Sequence, residues 1–160
     1  GKPVGRPHLA AAALAAPRNL ARLRAEGADT VDGLFAQYLV EGARAWVPRT
    51  QPTVAYAIAA IHAAGGVAVW AHPWHDVAAA EEVVAEIERF RAAGLDGVEC
   101  FYVEHTRAQT EALCDHCEAA GLLRTGSADF HGPTHPRYAR FRAFELYGRE
   151  PELGPIGRDS

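Results

Sequence analysis

The chain has 160 residues, 49% of them hydrophobic and 22% charged, the composition of a globular protein large enough to bury a core. A formal net charge of −4 and a pI near 6.1 exclude a disordered or supercharged chain and any global basic field for nucleic acid or anionic membrane. No apolar run approaches the roughly 18 residues of a membrane helix. The three cysteines, Cys100, Cys114 and Cys117, are too few and too clustered for a secreted disulfide scaffold, so the expected compartment is reducing and cytoplasmic.

In chain order, the first residue is glycine and methionine is absent, so the expectation is a fragment or processed chain. Leu9 to Ala16, with basic residues before it, is too short and too alanine-rich for a signal peptide and reads as a helix start. Leu9 to Arg24 and Thr30 to Gly42 read as two helices, the second capped by Asp29 or Thr30 and striped with Leu34, Tyr38 and Leu39. Near Pro52 the rhythm changes. Thr53 caps a helix with Val54, Ile58 and Ile61 on its apolar face, stopped at Gly65-Gly66. Val67 to Ala71 is a short, β-branched apolar run, read as a buried strand.

A helix follows with Val83, Val84, Ile87 and Phe90 at helical spacing, ending at Gly94. Gly97 to Tyr102 is the next strand. Thr106 and Gln109 form a capping box for a helix through Leu113 and Cys117 to Gly121. Leu122 to Gly126 is a further strand, and Ala143 to Tyr147 a last one. This alternation is the βαβ rhythm of a parallel sheet or barrel.

Functional residues of such folds gather past the carboxyl ends of the strands. His72 follows the first strand, Glu104 and His105 the second, and Asp129 and His131 the third. Histidine contributes only 8 of 160 residues, yet each of the three exits carries one. Asp129-Phe130-His131 places a carboxylate and an imidazole on one side of an extended segment, a geometry suited to one ion or to two close together. Pro73 biases His72 towards an extended conformation that aims its ring off the strand. The bland alternatives are a turn-capping Asp129, an exposed His131 and a hydrogen-bonded structural His72.

His75 reads as surface, His62 and His116 as solvated or packed, and His135 as a loop residue without a partner. Cys114 and Cys117 form a Cys-x-x-Cys on a helix, with no second pair to close a zinc site, so they read as core-facing thiols. Arg6-Pro7-His8, opening the first helix, is either a phosphate clamp or a surface pair.

Several segments together resemble the PHP (polymerase and histidinol phosphatase) family of metal-dependent phosphoesterases: GRPH at 5–8, FAQYLVEGARAWVP at 35–48, AIHAAGGVAVWAHP at 60–73, GLDGVECFYVEHT at 94–106 and GLLRTGSADFHG at 121–132. Order and spacing are similar to the C-terminal part of the bacterial subgroup that acts on nucleotides or RNA ends. The resemblance implies an α/β fold: part of a distorted (β/α)7 barrel, with a helical insertion at 1–50, the later parallel strands at 51–147 and a tail at 148–160. It implies two or three divalent ions of manganese, zinc or iron type, with His72, Asp129 and His131 as ligands. Asp129 and His131 would act in catalysis, and Arg6, His8 and His105 would hold the phosphate or leaving group.

The family's opening His-x-His, its Asp-His and its bridging glutamate do not occur here, and a full barrel takes about 250 residues. The expectation is therefore the C-terminal portion of a phosphoesterase for a phosphorylated small molecule, nucleotide or short RNA. It would have no membrane partner and would be inactive without a missing N-terminal half. The alternatives are a non-catalytic metal- or phosphate-binding module and, more remotely, a cysteine-centred protein.

Overall fold

The structure, a computed structural model, describes residues 4–48, 50–75, 77–135 and 137–157. The chain divides into two compact units, Gly1–Gln51 and Pro52–Ser160.

The first unit is helical. Helices α1 (Arg6–Ala15) and α2 (Pro17–Ala25) occupy what the sequence reads as one helix. Pro17 lacks an N–H and pushes the residue before it out of the helical region, and Ala16 is indeed extended, at φ −86° and ψ 110°. Proline then starts α2 at its first position, where no N–H bond is needed. A single turn, α3 (Val31–Leu34), begins at Thr30, whose hydroxyl accepts from the Gly33 N–H. It widens into a π-helical segment over Phe35–Leu39. Ala10, Leu23, Ala28, Leu34 and Leu39 form the core of this unit.

The second unit is built on a three-stranded parallel sheet of order β1-β2-β3, with β1 at Val69–Trp70, β2 at Gly97–Tyr102 and β3 at Leu123–Ser127. Helices α4 (Val54–Ala63), α5 (Ala80–Ala92) and α6 (Arg107–Ala120) alternate with the strands. Thr53 and Thr106 cap α4 and α6, each accepting a backbone N–H, and Gln109 closes the box at Thr106. The core joins Ile58 of α4, Val83, Ile87 and Phe90 of α5, Val98, Cys100 and Phe101 of β2, and Leu113, Cys114 and Cys117 of α6.

All six residues of the central strand β2 are buried. Its register with β3 runs from Gly97 opposite Leu123 to Tyr102 opposite Ser127 and shifts between Glu99 and Phe101. The extra residue on β2 makes a bulge that re-aims the strand as it leaves the sheet. Asp96 ties the entrance together, accepting the Ala68 N–H at 2.7 Å and lying 2.7 Å from His62 Nε2.

Ala143 to Tyr147, expected as a strand, is irregular. Arg142 and Tyr147 both sit at φ 52°, which breaks the extended backbone at each end, while Phe144 stacks near Phe101 at 6.5 Å. The free edge of β3 is instead met by Glu152, which exchanges two backbone hydrogen bonds with Arg124, at 2.9 and 3.0 Å. Among the described residues no helix is long and apolar enough to cross a membrane.

Gly97 marks the tightest approach in the sheet: a Cβ there would lie 2.6 Å from Leu123 Cβ and 2.9 Å from the Leu123 carbonyl oxygen. Gly97→Ala is expected to destabilise the second unit by about 1–3 kcal/mol, the usual cost of overpacking. A lower urea midpoint at unchanged m-value would show it, whereas an unchanged midpoint would mean that the strands have room to part.

Candidate functional site

The exits of the three strands lie at one end of the parallel sheet, and their side chains meet there. Two of them require unusual backbone: His72 sits at φ 33° and Asp129 at φ 47°, conformations that cost energy in a non-glycine residue and concentrate at functional positions. The Asp129 turn is held by its own N–H, which donates to Ser127 Oγ at 2.9 Å.

Glu99 is the organising carboxylate. It is 7% exposed and accepts the backbone N–H of His72 at 2.8 Å. Burial pushes its carboxyl above the usual range, the His72 N–H partly opposes this, and the Asp129 charge adds to the rise.

Beside it the rings gather. His72 lies 4.6 Å from His75 and 5.5 Å from Tyr102, and Tyr102 lies 5.3 Å from His105, between ring centroids. The Tyr102 hydroxyl donates to Asp129 Oδ2 at 3.4 Å, joining the exits of β1, β2 and β3. Burial, with the Tyr138 hydroxyl next in effect, drives the Tyr102 phenol upwards, so it remains a donor.

His105, 5% exposed, places Nδ1 3.0 Å from the Cys100 carbonyl. A carbonyl cannot donate, so Nδ1 carries the proton and Nε2 keeps a lone pair. Burial pulls the His105 pKa down against the help of that hydrogen bond, and nearby His75 and His72 lower it further. The imidazole is therefore neutral. Its Nε2 is buried without a partner, as is His72 Nδ1.

Glu104 binds the following loop to this cluster. It accepts the Tyr138 hydroxyl at 2.8 Å, pairs with Arg137 and lies 3.0 Å from His75 Nε2. Partial burial raises its pKa, but Tyr138, Arg137 and His75 together bring it below the usual value. On the same loop His131, His135 and Tyr138 form a ladder of rings 5.1–5.2 Å apart. His131 Nδ1 contacts the Asp129 carbonyl oxygen and lies 3.7 Å from Asp129 Oδ1.

The structure thus links His72, His105, Asp129 and His131 through Glu99 and Tyr102. Glu104 was expected at the exit of the second strand, whereas Glu99, Tyr102 and His75 were not singled out as site residues from the sequence. A glutamate inside the apolar run Val98 to Tyr102 was the available signal, because a carboxylate seldom occupies a fully buried strand without a task. His75 is exposed, as expected, and its ring is tilted against His72, while His135, expected without a partner, accepts the Tyr138 N–H at 3.0 Å.

Arg6 and His8 belong to the first unit and have partners there. His8 Nδ1 accepts the Gly5 N–H at 3.0 Å at the start of α1. Arg6 donates to the Leu39 carbonyl at 3.4 Å and lies over the Phe35 ring.

The three cysteines are free and buried, with Cys100 and Cys117 sulfurs 3.8 Å apart. Hydrogen bonds with Cys114 and Cys117, then burial, push the Cys100 thiol far up, so it is not a nucleophile.

The two unpartnered imidazole nitrogens, His72 Nδ1 and His105 Nε2, are donors of the kind a divalent cation takes. Among the described residues, however, no group of three or more His, Cys, Asp and Glu side chains is arranged to hold a metal ion. The donor set fits in kind and not in number.

No family model matches the chain. By sequence it is similar to a 5'-3' exoribonuclease of Haemophilus influenzae, 34% identical over 99 residues that cover 62% of this chain and 36% of the relative. It is also similar to a 3',5'-nucleoside bisphosphate phosphatase of Chromobacterium violaceum, 30% identical over 100 residues, 62% of this chain and 35% of that one. The chain therefore spans little more than a third of the length of these curated relatives.

By structure it is similar to a Bifidobacterium adolescentis protein assigned as a metal-dependent phosphoesterase, with a TM-score of 0.61 and 29% identity over 84% of this chain and 44% of that one. An amidohydrolase of Chromobacterium violaceum, solved with sulfate and no metal, shares the fold at a TM-score of 0.58 and 23% identity over 94% and 58%. The names of the relatives point to hydrolases, phosphatase or nuclease in kind.

The raised Glu99 gives a signed expectation. Its folded carboxyl holds a proton to higher pH than the unfolded one, so the folded state binds more protons in that window and stability falls as pH rises through it. Glu99→Gln is expected to raise the melting temperature at pH 8 by about 2–4 °C, the shift that ~1 kcal/mol gives a chain of this size. The gain should shrink as pH falls towards the ordinary carboxylate range. An equal gain at pH 4 and pH 8 would contradict the assignment.

Proposed function

We propose that this chain is the C-terminal portion of a PHP-family metal-dependent phosphoesterase acting on a nucleotide or RNA end. In this reading residues 1–50 are a helical insertion, 51–147 the later strands of a distorted (β/α)7 barrel and 148–160 a tail. The observation that carries it is the pair of buried, unpartnered nitrogens, His72 Nδ1 and His105 Nε2, the first on the residue that Glu99 holds and the second on the ring 5.3 Å from Tyr102, which donates to Asp129. The relatives' names, phosphatase, exoribonuclease and metal-dependent phosphoesterase, support the same reaction class.

His72, Asp129 and His131 are the proposed metal ligands for manganese, zinc or iron. A bound ion would supply charge neutralisation at the phosphoryl oxygens and a hydroxide at neutral pH. Among the described residues the donors are too few to enclose one. Its contribution is to orient and to hold protons. Glu99 fixes the His72 backbone, Tyr102 donates to Asp129, and Asp129 with His131 faces the reacting group.

Of the two parts expected of His105, phosphate or leaving-group contact, its tautomer suits the second. With Nδ1 protonated on Cys100 and the ring neutral, its Nε2 can only accept. It suits a cation or a hydroxyl proton and not a phosphate oxygen. Arg6 and His8 remain the proposed phosphate contacts. The remaining ligands would come from polypeptide outside these residues.

Hydrolysis of an aryl phosphate and of adenosine 3',5'-bisphosphate with manganese supplied is the test. The 160-residue chain alone is expected to show no turnover. The same chain joined to the polypeptide encoded upstream of Gly1 should show metal-dependent turnover, lost in His131→Ala. A completed protein that binds metal and hydrolyses neither ester would overturn the phosphoesterase reading. Turnover by the isolated chain that vanishes in His131→Ala would overturn its incompleteness. In the completed protein Arg6→Ala is expected to lower kcat/KM roughly ten- to a hundredfold, the worth of a charge-assisted contact, with bound metal unchanged. Metal loss would instead make the segment a ligand.

A further inference from the structure

The Cys-x-x-Cys of the sequence has no part in the strand-exit site, and the fold gives it a different neighbour. Cys114 and Cys117 lie one turn apart on α6, and both are buried in the same core as Cys100 of β2. Every cysteine of the chain is therefore in one cluster, and all are free. Cys100 donates its S–H to Cys117 Sγ at 3.8 Å, across a separation of 17 residues in the sequence. A disulfide needs about 2.05 Å, so these sulfurs stand one small side-chain movement short of a bond. A metal site is not built here, since among the described residues no three such donors are arranged around an ion.

We propose that Cys100 and Cys117 form a modification site, a dithiol that a small hydroperoxide converts into a disulfide tying β2 to α6. Cys117 Sγ, the acceptor of the pair, attacks the peroxide. An S–O bond forms, the O–O bond breaks, and the departing oxygen takes the Cys117 proton and leaves as alcohol or water. Cys100 Sγ then displaces the hydroxyl from Cys117: the S–S bond forms, the S–O bond breaks, and the Cys100 proton leaves with the hydroxyl as water. With the sulfurs already in contact, that proton moves as the bond forms, so Cys100 needs no free thiolate. The two thiols give up two electrons and the hydroperoxide accepts them. Local opening of the core admits an oxidant little larger than water and excludes bulky disulfides, which favours closure of the pair over a mixed disulfide. The bond closes a loop that contains His105, whose Nδ1 donates to the carbonyl of Cys100 itself. Oxidation in the core is thereby felt at the strand exits. None of this depends on the phosphoesterase reading.

The 160-residue chain is treated with hydrogen peroxide, alkylated with N-ethylmaleimide in urea and digested with trypsin. Free thiols are expected to fall from three to one, with the alkyl group on Cys114 and Cys100 joined to Cys117 in a peptide pair lighter by two hydrogens. Reductant should restore all three thiols. Cys114→Ala should keep the reaction and Cys117→Ala should lose it. A chain unfolded in urea before oxidation should scramble its pairing, because the fold is what selects these two sulfurs. Three surviving thiols, a bond from Cys114 in the folded chain, sulfinic acid in place of the disulfide, or the same exclusive pairing in the unfolded chain would each overturn the site. Mapping of the unaltered chain decides the matter if the Cys117 variant does not fold. The His105 ring signals in NMR should move on oxidation and return with reductant, and unmoved signals would overturn the link to the strand exits.

Discussion

The second unit depends on one buried hydrogen bond, from the His72 backbone N–H to the Glu99 carboxylate at 2.8 Å. All six residues of the central strand are buried, so Glu99 is largely withdrawn from water, and an unpaired carboxylate there would be costly. The bond places the exit of β1 beside the middle of β2 and holds His72 in its left-handed conformation at φ 33°. With that backbone held, the His72 ring lies against His75 and Tyr102, and Tyr102 reaches Asp129 beyond β3. The site is built from strand exits, and the glutamate is what keeps them in register.

This constraint explains which parts were legible in the sequence. Local signals were read well: Thr53 and Thr106 with Gln109 cap helices as expected, and β2 occupies Gly97–Tyr102. Capping and β-branched runs are properties of neighbouring residues, so a sequence displays them directly. The break at Ala16-Pro17 was also on display, but the surrounding alanine and leucine periodicity obscured it. Ala143 to Tyr147 is apolar enough to read as a strand, yet its backbone is set by the packing of Phe144 on Phe101 and by positive φ at Arg142 and Tyr147. Packing of that kind is non-local.

The side chains at the strand exits divide in the same way. His72, His105, Asp129 and His131 stood out because polar residues follow apolar runs. Glu104 stood out in the same way, but Glu99, Tyr102 and His75 did not, because each acquires its role through a contact 27 or more residues away: Glu99 to His72, Tyr102 to Asp129, and His75 to Glu104. The tautomer of His105 follows from the Cys100 carbonyl five residues earlier, a contact that exists only because the chain turns after β2. That single proton position leaves Nε2 of His105 as an acceptor.

The central claim is that the strand exits keep two imidazole nitrogens, His105 Nε2 and His72 Nδ1, buried and free of hydrogen-bond partners, and so open to a divalent cation. Long-range proton–nitrogen NMR of the eight histidine side chains, at pH 7 and with excess zinc, tests it most directly. The account predicts that His105 is neutral with its proton on Nδ1, and that zinc moves His105 Nε2 and His72 Nδ1 together. His62 and His116, paired with Asp96 and Glu88, should respond far less. A protonated Nε2 on His105, or zinc moving His62 and His116 as readily as His72 and His105, would contradict it.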